Sequence, residues 1–198
     1  MTDAHVGRLL VAAVHQAIAD ELPMRVEFYG HWMRGERLRD GGVGLAPMTA
    51  VIGFLRAEGA PYHRVMSRAG EFAADWTHDA MPAWRRWMLL ALPRWWRSRA
   101  VLRHAARVIR VGYAPSRVVI RVRRKQARVE IRQSLFCRVR DAQPEAQCDF
   151  HAAMVVRLLE TFNVHASFRF ESCVGSGGGL CVVLCDLRAP ATPLGLAE

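Results

Sequence analysis

Residues that can hold a metal crowd into the last quarter of the chain. Cys148 opens an apolar helical pattern, and Glu171, Cys173 and Cys181 flank the stretch Gly175-Ser-Gly-Gly-Gly179. Thiolates and carboxylates are ligands that zinc accepts. If residues 175–179 form a hairpin loop, Cys173 lies opposite Cys181, and directly opposed side chains share a face with Cβ atoms about 4.5–5.5 Å apart. Glu171, two residues earlier, falls on the same face, with Val183 and Cys185. Phe168, Phe170, Val182 and Leu184 take the other face, expected to be the core. Cys148 then closes a set of three thiolates and one carboxylate. The register decides this, because a loop one residue shorter turns Cys181 away. Two other readings stand beside it: the cysteines are small buried strand residues, or they serve redox chemistry.

The elements that must position these residues follow from hydrophobic spacing. Residues 4–22 carry apolar positions at intervals of three and four, which predicts an amphipathic helix ended by Pro23. Further helices are expected over 47–58, 61–81 and from Pro82 onward, with a break at Pro93 and an end near Gly112. Residues 24–44 read as mixed. Val118, Ile120 and Val122 alternate with arginines, and the segment from Arg128 to Cys137 alternates likewise, which predicts a hairpin turning over residues 124–127. A helix over 148–162 and a second hairpin, 165–173 with 180–187, complete the chain. The predicted class is α+β: N-terminal helices packed on a four-stranded antiparallel sheet in helices-β-β-α-β-β order. One domain over 1–188 and a flexible tail over 189–198 are expected.

This order, with a cysteine before the last helix and Glu171-Ser-Cys173…Cys181 on the last hairpin, resembles the 4-vinyl-reductase domain family, which shares its fold with TRAPP vesicle-tethering subunits. The resemblance covers residues 45–187 loosely and 148–185 best. In the family's phenol-sensing branch, sensor domains of bacterial activators, it implies a structural zinc on Cys148, Glu171, Cys173 and Cys181. The chain departs in one spacing, since only Ser172 separates Glu171 from Cys173. The resemblance also implies a pocket between helices and sheet for an apolar or aromatic ligand, a tetrapyrrole among the candidates, and pairing through helices. The family's name implies a reductase of bacteriochlorophyll synthesis.

The chain of 198 residues has a formal net charge of +10 and a pI near 10.6. Lys125 is its one lysine, so arginine carries the charge. Such a balance favours anionic partners, and arginine richness also follows from a GC-rich genome. No apolar run reaches the length of a membrane span, and the N-terminal helix is too interrupted by His15, Gln16 and Asp20 to read as a cleaved signal. Five cysteines make no complete disulfide framework, so a reducing cytoplasmic setting is expected.

Trp84, Arg85, Arg86, Trp87, Trp95, Trp96 and Arg97 form an aromatic-basic stretch. With Trp76 it is read as lining the ligand pocket through Trp76, Trp84, Trp87 and Trp95. The same residue types suit a membrane surface or single-stranded nucleic acid. His151, one turn past Cys148, is an alternative ligand, a supporting group or an ordinary polar helix residue. The glycine-rich loop lacks the helix and lysine of a phosphate loop, and no nucleophile–base triad or dinucleotide fingerprint is present. Tyr113-Ala-Pro-Ser116-Arg117 has the residue types, but not the spacing, of the haem-gripping motif of nitric-oxide-sensing haem domains. The chain thus reads as a ligand-binding sensor or carrier domain rather than an enzyme, dimeric through residues 4–22. The second reading is a basic adaptor that holds a membrane surface, nucleic acid or acidic protein through its Arg/Trp helix.

Overall fold

The computed structural model describes residues 5–33, 42–123, 125–138 and 142–187. A short strand β1 (His5–Gly7) leads into α1 (Arg8–Glu21), and a 3-10 turn at Pro23–Arg25 leads into α2 (Val26–Met33). Strand β2 (Gly42–Gly44) pairs antiparallel with β1 and feeds α3 (Leu45–Ala57) and α4 (Ala60–Asp79). Two shorter-range breaks, Pro82 and Pro93, bracket α5 (Ala83–Ala91) and start α6 (Arg94–Gly112), as proline favours helix starts and stops preceding helices. Then follow β3 (Arg117–Arg123), β4 (Gln126–Arg132), α7 (Asp149–Thr161), β5 (Ser167–Ser172) and β6 (Cys181–Asp186).

The four long strands form one antiparallel sheet in the order β3-β4-β6-β5, so the expected α+β class holds. The first hairpin is tighter than predicted. Arg123 pairs with Gln126, which leaves two residues for the turn. Helix α2 falls in a segment read as mixed, and its aromatic residues (Phe28, Tyr29 and Trp32) obscured its period.

The sheet turns inward the face that was expected to look outward. Ala127, Val129 and Ile131 pair with Cys185, Val183 and Cys181, and all six join the core. Leu184 alternates to the outer face between Arg128 and Arg169, and Val182, on the same face between Glu130 and Ser172, is covered. A β-bulge between Phe170 and Ser172 then shifts β5 against β6. Ser172 faces Val182, as a five-residue loop requires, but beyond Glu171 the register slips by one. Phe170 then meets Val183 and Phe168 meets Cys185. An inserted residue of this kind re-aims the side chains around it.

Helices α6 and α7 cover the inner face, α4 lies along α7, and α1 lies along α4. Leu10, Val11, Val14 and Ile18 of α1 are buried within the subunit. The apolar face expected to form a dimer seam is therefore already covered by α4. Helices α4 and α7 approach closely at Gly70, where an added Cβ would meet the Phe150 carbonyl oxygen at 2.4 Å and the Met154 nitrogen at 2.9 Å. Among the described residues no helix is long and apolar enough to cross a membrane.

The crossing yields a paired test. Gly70→Ala forces two backbones apart and should lower the unfolding free energy by roughly 1–3 kcal/mol, the usual cost of overpacking. Gly53→Ala, in the exposed interior of α3 with nothing within 4 Å of the added Cβ, should raise it by about 1 kcal/mol through helix propensity. Urea titration followed by circular dichroism measures both.

Candidate metal centre

Three separate segments deliver four buried cysteines to one place. After β4 the chain turns at Gln133, which adopts the left-handed region with φ of 55°. A 3-10 turn, Leu135–Cys137, then aims Cys137 inward. Cys148 is the N-cap of α7, and its carbonyl accepts from Ala152 and His151. Asp149 in the first helical turn complements the helix dipole. Cys173 follows the bulge, and Cys181 opens β6 directly across the loop.

The four sulfurs all lie within 4.8 Å of one another. Cys137 Sγ stands 2.9 Å from Cys148, 3.4 Å from Cys173 and 3.3 Å from Cys181, and Cys148 stands 3.7 Å from Cys173. None is in a disulfide. A tetrahedron of thiolates about 2.3 Å from a central zinc has edges of about 3.8 Å, so a small outward relaxation of the closest pair accommodates an ion. The group can hold a metal.

Electrostatics favour a cation. The thiols of Cys137, Cys148 and Cys181, hydrogen-bonded to Cys173, hold it well below the ordinary thiol range. Cys148 is pushed far up by its hydrogen bonds with Cys137, Cys173 and Cys181 and by burial. Four such groups cannot ionise together without a positive ion between them. Backbone donors already point at the sulfurs: Gln147 N–H to Cys173 at 3.3 Å and Val174 N–H to Cys181 at 3.4 Å.

Side chains fix the loops on either side. Arg56 donates to the Phe136 carbonyl and to Gln147 Oε1 at 3.1 Å, and Tyr62 OH donates to the Gln147 carbonyl at 3.1 Å. They tether the residues just before Cys137 and Cys148. His63 lies 3.0 Å from both Asp149 and Glu145. Gly175 must lack a side chain, because a Cβ there would meet Gln147 Cγ at 2.7 Å.

The expected ligands divide. Cys148, Cys173 and Cys181 come together, and Cys137 completes the group where Glu171 was expected. Glu171 is the bulge residue. It sits on the outer face in an ion pair with Arg128, whose hydrogen bond holds its carboxyl below the ordinary range. Cys137 was hidden by being read as the last residue of an alternating strand, whereas β4 ends at Arg132. His151 is buried and supports the centre from behind: its Nε2 lies 3.2 Å from Ser134 Oγ, which in turn lies 4.0 Å from Cys148 Sγ. Cys185 is buried on the core face outside the group.

The tryptophans do not converge. Trp84, Trp87 and Trp95 face solvent, and Trp76 is half-buried, stacked on Phe72. Prolines bound α5 at both ends, and its tryptophans point away from the core. The haem-type stretch is also otherwise engaged. Tyr113 OH accepts from Arg138 at 2.9 Å, and Ser116 Oγ donates to the Gln133 carbonyl at 3.1 Å.

No family model matches the chain, and no curated protein matches it in sequence. In structure it is similar to an H-NOX domain from Shewanella oneidensis, solved by NMR in the Fe(II)CO ligation state. The TM-score is 0.55 at 10% identity, covering 93% of this chain and 99% of that one. The likeness establishes the fold. Two clefts among the described residues, of about 610 and 410 Å³, lie on the outer face of the sheet and beside residues 143–147. Leu102, Leu158, Met66 and Phe162 are fully buried in the core. His104 has no partner for either ring nitrogen, but it lies beside Arg85 and Arg107 rather than at either cleft, and burial followed by those charges lowers its basicity.

Burial pushes the His151 imidazole down to about 4 from 6.5. Above pH 6.5 it is neutral folded or unfolded, and its neutral form adds no pH dependence. As pH falls from 6.5 to 4 the unfolded chain takes up a proton that the fold refuses. Stability should drop by about 3 kcal/mol over that window. His151→Phe, which keeps an aromatic ring beside Phe136 and Phe150, should flatten this part of the melting-temperature profile. An unchanged slope would assign the acid sensitivity elsewhere.

Proposed function

We propose that the chain is a small-molecule-binding domain locked by one structural zinc ion on Cys137, Cys148, Cys173 and Cys181. The observation that carries this reading is the convergence of four buried sulfurs from three segments. Thiolate tetrahedra take zinc or iron, and a closed set of four protein thiolates leaves no open position for substrate, which is the pattern of a structural site. The likeness to an H-NOX domain supports a sensor-type fold, and the resemblance to phenol-sensing domains supports an apolar or aromatic ligand, tetrapyrroles included. Such a ligand enters where the helical layer and the sheet part. Zinc then holds the C-terminal hairpin to α7 while the helical layer adjusts.

Purified protein should carry about one zinc per chain. Cys137→Ser and Cys148→Ser should each reduce this below about a tenth and lower the melting temperature by roughly 10–20 °C. Glu171→Gln and Cys185→Ala should leave the zinc content unchanged. Elemental analysis of the four variants decides, and a metal content that depends on Glu171 but not on Cys137 would sink the assignment. Phenols or porphyrins that bind the folded state should raise the melting temperature of the zinc-loaded protein.

A further inference from the structure

Helix α5 is built inside out. Its residues Trp84, Trp87, Met88 and Ala91 recur at intervals of three, one and three, which makes one stripe, and all four are exposed. Trp84 is 68% exposed, Trp87 77% and Met88 51%. On the side toward the protein, Leu89 alone is fully buried and Arg85 and Arg86 are half-buried. An amphipathic helix normally turns its apolar stripe to the core. At the start of α6, Trp95 and Trp96 are also exposed, at 44% and 55%.

The reversed helix is held firmly. Arg97 donates to the carbonyls of Leu90, Leu92 and Phe162, and Arg94 donates to the Leu187 carbonyl. The charge around it is of one sign. From Ala80 to Val129 the chain contains no aspartate or glutamate, and arginines recur throughout.

We propose that α5 and the first turn of α6 dock on an anionic bilayer surface, with Trp84, Trp87 and Met88 at the headgroup–acyl boundary and the surrounding arginines against lipid phosphates. Tryptophan prefers that boundary because its ring is apolar and its N–H is polar. Arginine can lay its stem along apolar surface while its head meets phosphate. An apolar stripe beside cationic side chains is the pattern of helices that lie in the interface plane. Other occupants fit less well. A second copy would bring Arg85 and Arg86 against their own counterparts across a two-fold axis. Single-stranded nucleic acid needs free aromatic faces for stacking, but Arg99 already covers Trp95 at 4.1 Å and Trp96 meets Trp95 edge-on.

The test uses the full chain with vesicles of phosphatidylcholine, with and without about 30% phosphatidylglycerol. Co-sedimentation should be at least about tenfold stronger on the anionic vesicles, with a blue shift of tryptophan emission, and should weaken at high salt. The double variant Trp87→Ser/Met88→Ser should lose at least about tenfold of that binding at an unchanged melting temperature, because both residues are exposed. Arg85→Gln/Arg86→Gln should reduce binding to anionic vesicles alone. Absence of binding to anionic vesicles, or binding equal in both variants and the parent, overturns the proposal. So does a solution dimer that Trp87→Ser/Met88→Ser makes monomeric, or an oligonucleotide that binds through these residues where vesicles do not.

Discussion

Four sulfurs confined to one buried volume set the terms for everything between Gln133 and Cys181. Buried thiolates repel one another, so the four sulfurs can ionise together only with a positive charge among them. Many local features are consistent with that demand. Gln133 accepts a left-handed conformation to swing Cys137 inward. Gly175 forgoes a side chain so that its loop can lie against Gln147. Arg56 and Tyr62 reach across from the helical layer to hold the backbone before two of the cysteines. The helical layer and the sheet thus share one set of tethers, and those tethers surround the sulfur cluster.

Much of this was legible in the chain. Period-three-and-four spacing located α1, α3, α4 and α7, and alternation located the two hairpins, because each element has one apolar face and one polar face. The helix–sheet order and three of the four sulfur positions followed. What failed did so for identifiable reasons. A bulge is a one-residue event with no compositional mark, so Glu171 and Cys173 looked like neighbours on a face when the backbone places them on opposite sides. Cys137 follows a strand whose alternation continues by accident past its true end at Arg132. The apolar face of α1 said only that it needed cover, and α4 of the same subunit provides it.

The aromatic residues of α5 suggest burial, yet they are exposed. Aromatic density in a sequence is evidence of burial only where the segment's apolar stripe can reach the core. Here two prolines and the clasp of Arg97 fix the helix with its stripe outward. Local rules broken in a well-tethered element are commonly associated with function, whereas a loosely held one would simply be frayed.

Helix α7 has a different fastening at each end. Cys148 at its start belongs to the sulfur cluster, and the carbonyl of Phe162 just past its finish is gripped by Arg97. Thirteen residues at 1.5 Å each make a rod about 20 Å long. Pivoting such a rod by about 5° at the sulfur end carries the other end by roughly 2 Å, the length scale of a helix shift. Arg97 would pass that displacement to the carbonyls of Leu90 and Leu92 at the end of α5. The cysteine cluster and the tryptophan-bearing surface are thus joined through one helix and one guanidinium, so a tilt at either end would have a mechanical route to the other.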